Sequence, residues 1–229
     1  MSEIFPWTPA AIVFDCDGTL MDSERHWVGA RDLVLREFGV VPTEEFAELS
    51  KGVHYTECGQ LMAATAGRPD LADEMTERLL RGFRALVAEN PVTTPGAHEL
   101  VARAAEFAPL AIASNCPRDV VEEGLDTAGL LRHFGHVVVP EEHVRPKPHP
   151  DVYLRAAAAC GAEPADCLAV EDSLCGIRSA VRAGLRVLGV GLRPDRESFA
   201  MADHWVRSLE DRALLVWVES RALSGVVAR

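Results

Sequence analysis

The stretch from Ala10 to Leu20, AAIVFDCDGTL, decides how this chain is read. Its five leading apolar residues form a short continuous run, which suits a strand buried on both faces, as in a parallel sheet. The run stops at two carboxylates, Asp15 and Asp17, one residue apart and followed by Gly18 and Thr19. In an open parallel sheet, ligands bind beyond the carboxyl ends of the strands, so both aspartates stand where a site would form. Alternation along extended backbone turns Cys16 to the side opposite them, which suits packing rather than chemistry.

Outward from this stretch, similar runs recur as LAIA (110–113), HVVV (136–139), CLAV (167–170) and RVLGVG (186–191). All are expected to be buried parallel strands. Between them lie amphipathic patterns such as Leu100, Val101, Ala104 and Phe107, or Ile177, Ala180 and Val181. The alternation predicts crossover units in a doubly wound, Rossmann-like α/β sheet. Pro117, Pro150 and Ser173 each follow a strand end as helix-start signals do. From about Ser23 to Asn90 there is no strand-like run, whereas Leu71, Met75, Leu79, Phe83 and Val87 recur at helical spacing. This predicts a helical insertion, closed by the breakers Asn90-Pro91 and Thr94-Pro95-Gly96. The expected division is a core of residues 1–22 and 91–229 with a helical domain of residues 23–90 inserted after the first strand.

The 229 residues carry 23 Lys and Arg against 35 Asp and Glu, a net charge of −12. Duplex nucleic acid needs clustered cations, so that partner is not expected, and the field also repels anionic membranes. No apolar run reaches the roughly 18 to 20 residues of a membrane span, and no signal peptide is visible. The 6 cysteines are scattered without a CxxC spacing, which fits reduced thiols in a cytoplasmic protein. A monomer or weak homodimer is expected.

Polar residues follow the other strands too. Ser114 and Asn115 follow the second, Lys147 lies between Pro146 and Pro148, and Glu171, Asp172 and Ser173 end the fourth. Several carboxylates at one sheet edge repel one another unless a cation joins them, and an all-oxygen donor set suits Mg²⁺. Asp15 and Asp172 are the expected side-chain ligands. With Mg²⁺ and Lys147 offsetting the charge of a phosphoryl group, Asp15 could attack phosphorus in line and form an aspartyl phosphate. Asp17 could protonate the leaving oxygen and then deprotonate water. Gly18 lets the backbone approach the phosphate, and Thr19 and Ser114 can donate to its oxygens.

These residues resemble those of haloacid dehalogenase superfamily phosphohydrolases. DCDGTL is similar to the first motif, Ser114 to the second, Lys147 to the third and Glu171-Asp172 to the fourth, all in the family's order. The continuation VEDSLCGIRSAVRAGLRVLGV is similar as well, and MDSE and SNCP resemble bacterial sugar-phosphate and gluconate-phosphate phosphatases. The resemblance implies that the insertion is a type-one cap, a helical lid. It makes Asp15 the nucleophile, Asp17 the acid/base, and Ser114 and Lys147 phosphate binders; with Gly18, Thr19 and Asn115 these form the expected phosphate site. Asp15, Asp17 through its carbonyl, Glu171 and Asp172 become the metal environment. In the lid, Lys51, His54 and Tyr55 resemble a substrate-facing loop, and Trp27 and His26 stand near the hinge. A phosphatase for a small phosphorylated metabolite is therefore expected. A phosphoglucomutase of the same fold, a catalytically silent phosphate-binding module and a phosphoacceptor receiver domain are the alternatives. The mutase of this family carries a histidine twelve residues after the nucleophile and an arginine two residues after the lid's Lys-Gly-Val string. Here those places hold Trp27 and Tyr55.

Overall fold

The computed structural model describes residues 4–50, 53–192 and 194–227. Six strands form one parallel sheet: β1 (Ala11–Phe14), β2 (Leu110–Ala113), β3 (His136–Val138), β4 (Cys167–Glu171), β5 (Arg186–Val190) and β6 (His204–Val206), ordered β3-β2-β1-β4-β5-β6. The chain leaves β1 toward one edge and returns to β4 on its other side. A topological switch point therefore lies between the carboxyl ends of β1 and β4. Register there is fixed by Val13 opposite Ala169 and Phe14 opposite Val170, and the Asp15 N–H continues the ladder by donating to the Val170 carbonyl at 2.9 Å.

Alternation distributes β1 between two cores. Ile12 and Phe14 face one layer with Leu100 and Val101 of α5 (Ala97–Ala104), Val121 and Leu125 of α6 (Arg118–Thr127), and Trp217 of α10 (Arg212–Val227). Ala11 and Val13 face the other, against Val152 and Tyr153 of α7 (Asp151–Ala159) and Ile177 and Ala180 of α8 (Leu174–Ala183); α9 (Arg196–Met201) adds Met201. The small inward residues Ala11, Ala111 and Ala169 let α7 and α8 pack close to the sheet.

Among the described residues between β1 and β2 there are four α-helices and no strand: α1 (Glu24–Glu37), α2 (Glu44–Ser50), α3 (Tyr55–Thr65) and α4 (Ala72–Glu89). They bury a core of their own around Leu35, Phe46, Met62, Met75, Leu79 and Phe83. The two chain crossings to this bundle run side by side, with the Asp22 N–H on the Val92 carbonyl at 2.8 Å and Met21 bridged to Thr93.

The structure corrects three sequence readings. β3 is an edge strand, with His136 exposed and Val137 and Val138 half-buried, because only β2 pairs with it. Phe107 lies beyond the end of α5 and packs edge-on against Trp217 from a turn. Val181 is exposed because α8 buries the stripe of Ile177, Ala180 and Ala183 instead. β6 has no counterpart among the expected strands, since His204-Trp205-Val206 has no apolar run. It is held by pairing with β5, and its Trp205 ring occupies the space left by Gly189, where a Cβ would come within 2.1 Å of it.

Candidate active site

β1, β2 and β4 bring their carboxyl-terminal residues to one place. Lys147 arrives on the loop after β3 and is tied to β2 by a reciprocal pair: its N–H donates to Asn115 Oδ1 at 2.8 Å, and Asn115 Nδ2 donates to its carbonyl at 3.2 Å. The Lys147 Nζ then bridges Asp15 Oδ1 and Glu171 Oε1, each at 2.6 Å. All three groups are buried, with Lys147 at 2% exposure and Glu171 at 0%. Burial alone would lower the lysine's pKa, but the carboxylates of Asp15 and Glu171 more than reverse this and hold it as an ammonium.

Glu171 is fully engaged. Its Oε2 accepts from the Ser173 N–H at 2.8 Å and the Ser173 hydroxyl at 3.0 Å, and its Oε1 also accepts from the Tyr153 hydroxyl at 3.3 Å. Gly176 in the first turn of α8 makes this approach possible, since a Cβ there would lie 1.5 Å from Glu171 Oε1. Sequence patterns do not mark Tyr153 or Ser173 as partners of Glu171. The tyrosine reads as a core aromatic of a helix, and the serine as the helix cap that it also is, accepting from the Gly176 N–H.

Asp15 differs. One oxygen meets Lys147, while Oδ2 is buried with no hydrogen-bond partner among the described residues. Desolvation raises its pKa well above the ordinary carboxylate range; Lys147 counters this, and Glu171, Asp172 and Asp17 add to it. Carboxylate oxygens of Asp15, Glu171 and Asp172 lie within 4.8 Å of one another. Three carboxylates against one ammonium, with a buried Asp15 oxygen unpartnered, suit a hard divalent cation bound by oxygen. Gly18 keeps this corner open: it has a φ of 88°, and a Cβ would stand 2.6 Å from Asp172 Oδ2. The Thr19 hydroxyl, expected to reach a phosphate, instead donates to Asp172 Oδ1 at 3.2 Å from a fully buried position.

Asp17 sits in a ring of donors. Its Oδ1 accepts from the Ser23 hydroxyl at 2.6 Å and Trp27 Nε1 at 3.4 Å; its Oδ2 faces the Ser114 hydroxyl at 3.3 Å and the Cys116 thiol at 2.9 Å. Trp27 is braced by stacking on Phe83 of α4, with ring centroids 3.7 Å apart. Cys116 falls within the SNCP string, which gives it no role of its own; burial, then the charge of Asp17, pushes its thiol well above the ordinary range. Cys16 lies buried in the sheet core.

A cleft opens over these groups, between the sheet edge and the helical insertion. Trp27 and Tyr55 line it from the insertion, with Glu24 and Arg31, a pair not foreseen from the sequence. Arg31 is buried and donates to Glu24 Oε1 at 2.8 Å and to the Ser50 carbonyl at 3.2 Å. His54 serves its own helix instead, capping α3 by accepting from the Thr56 N–H, and is absent from the cleft wall. His26 is buried away from the cleft, near Met21 and Phe83. Lys51 lies outside the described residues.

The chain is 30% identical over 216 residues to the validoxylamine A 7'-phosphate phosphatase of Streptomyces hygroscopicus subsp. limoneus, covering 87% of this chain and 93% of that protein. It is 31% identical over 207 residues to hexitol phosphatase B of Escherichia coli strain K12, covering 88% and 93%. Among solved structures, β-phosphoglucomutase from Clostridium difficile superposes with a TM-score of 0.81 at 20% identity, over 96% of this chain and all of that one, a likeness of fold. The profile of the haloacid dehalogenase-like hydrolases matches residues 12–190, from the first residues of β1 to the end of β5, and the chain belongs to that family.

Proposed function

We propose that the protein is a Mg²⁺-dependent phosphoric monoester hydrolase acting on a small phosphorylated metabolite, a sugar or sugar-acid phosphate, in the cytoplasm. One observation carries the reading: Asp15 stands at the switch point with one oxygen on Lys147 and the other bare, beside a second aspartate held by donors. The oxygen of Asp15 attacks phosphorus, the ester P–O bond breaks, and its electron pair leaves on the ester oxygen, which takes a proton from Asp17. Asp17 then removes a proton from water, whose oxygen attacks the aspartyl phosphate and releases inorganic phosphate and the Asp15 carboxylate. Lys147 and Ser114 balance and orient the phosphoryl oxygens. Glu171 holds the ammonium of Lys147 in line with Asp15. Asp15, the Asp17 carbonyl and Asp172 would hold Mg²⁺, which supplies charge neutralisation of the phosphoryl group when bound.

Residues 23–90 act as the lid, moving about the paired crossings at Met21-Asp22 and Val92-Thr93. The lid closes the cleft against bulk water, with Trp27 and Tyr55 on the substrate side. Hydrolysis is favoured over phosphoryl return to a sugar because Trp27 Nε1 is a donor only, and Tyr55 lacks the cationic fork that would clamp a second phosphate. A screen of phosphate release from hexitol, hexose, sugar-acid and aminocyclitol phosphates with Mg²⁺ present tests the reading. Release from at least one class is expected. Conversion of β-glucose 1-phosphate to glucose 6-phosphate faster than phosphate release would favour the mutase.

A further inference from the structure

We propose that Cys116 is a positioning residue for Asp17, an inference that rests on the acid/base reading of that aspartate. The carboxylate of an aspartate turns freely about its last torsion, so its plane is set by its partners. Of the four donors around Asp17, Ser23 and Trp27 come from the crossing and the first lid helix and share Oδ1. Ser114 and Cys116 come from the core and share Oδ2. The two core donors are not equivalent. Ser114 has a single hydroxyl proton, and its place at the end of β2 assigns that proton to an incoming phosphoryl oxygen; once given there, it no longer serves Asp17. Cys116 has no such competing acceptor. Its Sγ lies 2.9 Å from Asp17 Oδ2, and the thiol donates its proton across that contact whenever Asp17 is ionised, because a carboxylate oxygen only accepts.

The backbone fixes the thiol in turn. The Cys116 N–H donates to the Ser114 Oγ at 3.0 Å, and Pro117 directly afterwards caps the start of α6. Among the described residues, Cys116 is thus the donor that stays on Asp17 Oδ2 whether the lid is open and whether phosphate is bound. The proton delivered to the ester oxygen remains that of Asp17, and the thiol keeps its own.

The test compares Cys116→Ala, Cys116→Val and Cys116→Ser on two esters: an alkyl phosphate that the wild type hydrolyses, and p-nitrophenyl phosphate, whose leaving group needs no proton. Loss of a hydrogen bond to a charged group predicts about a tenfold lower kcat on the alkyl ester for the alanine variant, at unchanged KM. The loss on p-nitrophenyl phosphate is expected to be under about twofold on the same reasoning, and serine should restore most of the alkyl-ester rate. Cys116→Val fills the volume without a donor and gives the same reading should the alanine variant lose its fold. Equal losses on both esters, wild-type activity in both donor-free variants, or no recovery with serine would overturn the proposal. Asp17→Asn is measured alongside: if it is leaving-group dependent while the Cys116 variants are not, the positioning role fails and the acid/base stands. If Asp17→Asn loses both esters equally, the acid/base reading fails first.

Discussion

At the residue scale, the proposed chemistry turns on three side chains that share one cleft but differ in their surroundings. Asp15 has a bare buried oxygen, so Asp15→Asn is expected to abolish turnover; an amide cannot form the acyl phosphate, and full activity measured by phosphate release would refute the nucleophile. Asp17→Asn should cost at least about a hundredfold on alkyl esters and far less on p-nitrophenyl phosphate. Lys147→Ala should be nearly inactive. It also leaves Asp15 and Glu171 buried without their shared ammonium, a loss on the order of 3 to 5 kcal/mol for a broken buried pair, read as a lowered Tm. The aspartates and the lysine are legible in the sequence because each follows a strand end or a rigid proline-flanked turn. Cys116, Tyr153 and Ser23 are not. Their contacts with Asp17 and Glu171 are set by the fold, whether 99 positions apart as in Cys116 and Asp17 or 6 as in Ser23 and Asp17, and spacing alone does not announce them.

At the element scale, what the sequence displays is periodicity, and periodicity locates β1, β2, β4 and β5 and the helical insertion. It misjudges the burial of β3, whose valine run gives no sign that only β2 pairs with it, and misses β6, an edge strand with no apolar run. The helical insertion's own contribution is legible only in outline. Spacing marks Phe83 as a core residue of α4, but not that Phe83 braces Trp27 against Asp17. Trp27→Phe keeps the stack and removes the Nε1 donor. It is therefore expected to leave Tm within about 1 °C, as befits a substitution that spares the packing, while lowering kcat several-fold. An unchanged kcat would show that the lid does not act on Asp17 through this nitrogen.

For the whole molecule, the main electrostatic fact is a net negative cluster built into a chain of net charge −12. Asp15 has a folded pKa above its unfolded value. Its contribution to the stability of the metal-free protein is therefore fully present below the unfolded carboxylate pKa and is lost as pH rises through the folded pKa of Asp15. A bound divalent cation favours the ionised form, so added Mg²⁺ should raise Tm more at pH 8 than at pH 5.5, and EDTA should remove both the shift and the activity. An equal shift at both pH values would place the cation elsewhere.

The central claim is that Asp15 carries the phosphoryl group, and the most direct measurement is chemical trapping during turnover. Borohydride added to the enzyme, Mg²⁺ and a hydrolysed sugar phosphate reduces an acyl phosphate to the alcohol, so peptide mass spectrometry should find homoserine in place of Asp15. That conversion is expected in the wild type with substrate, and none without it. Rapid phosphate release with Asp15 unmodified at every quench time would contradict it.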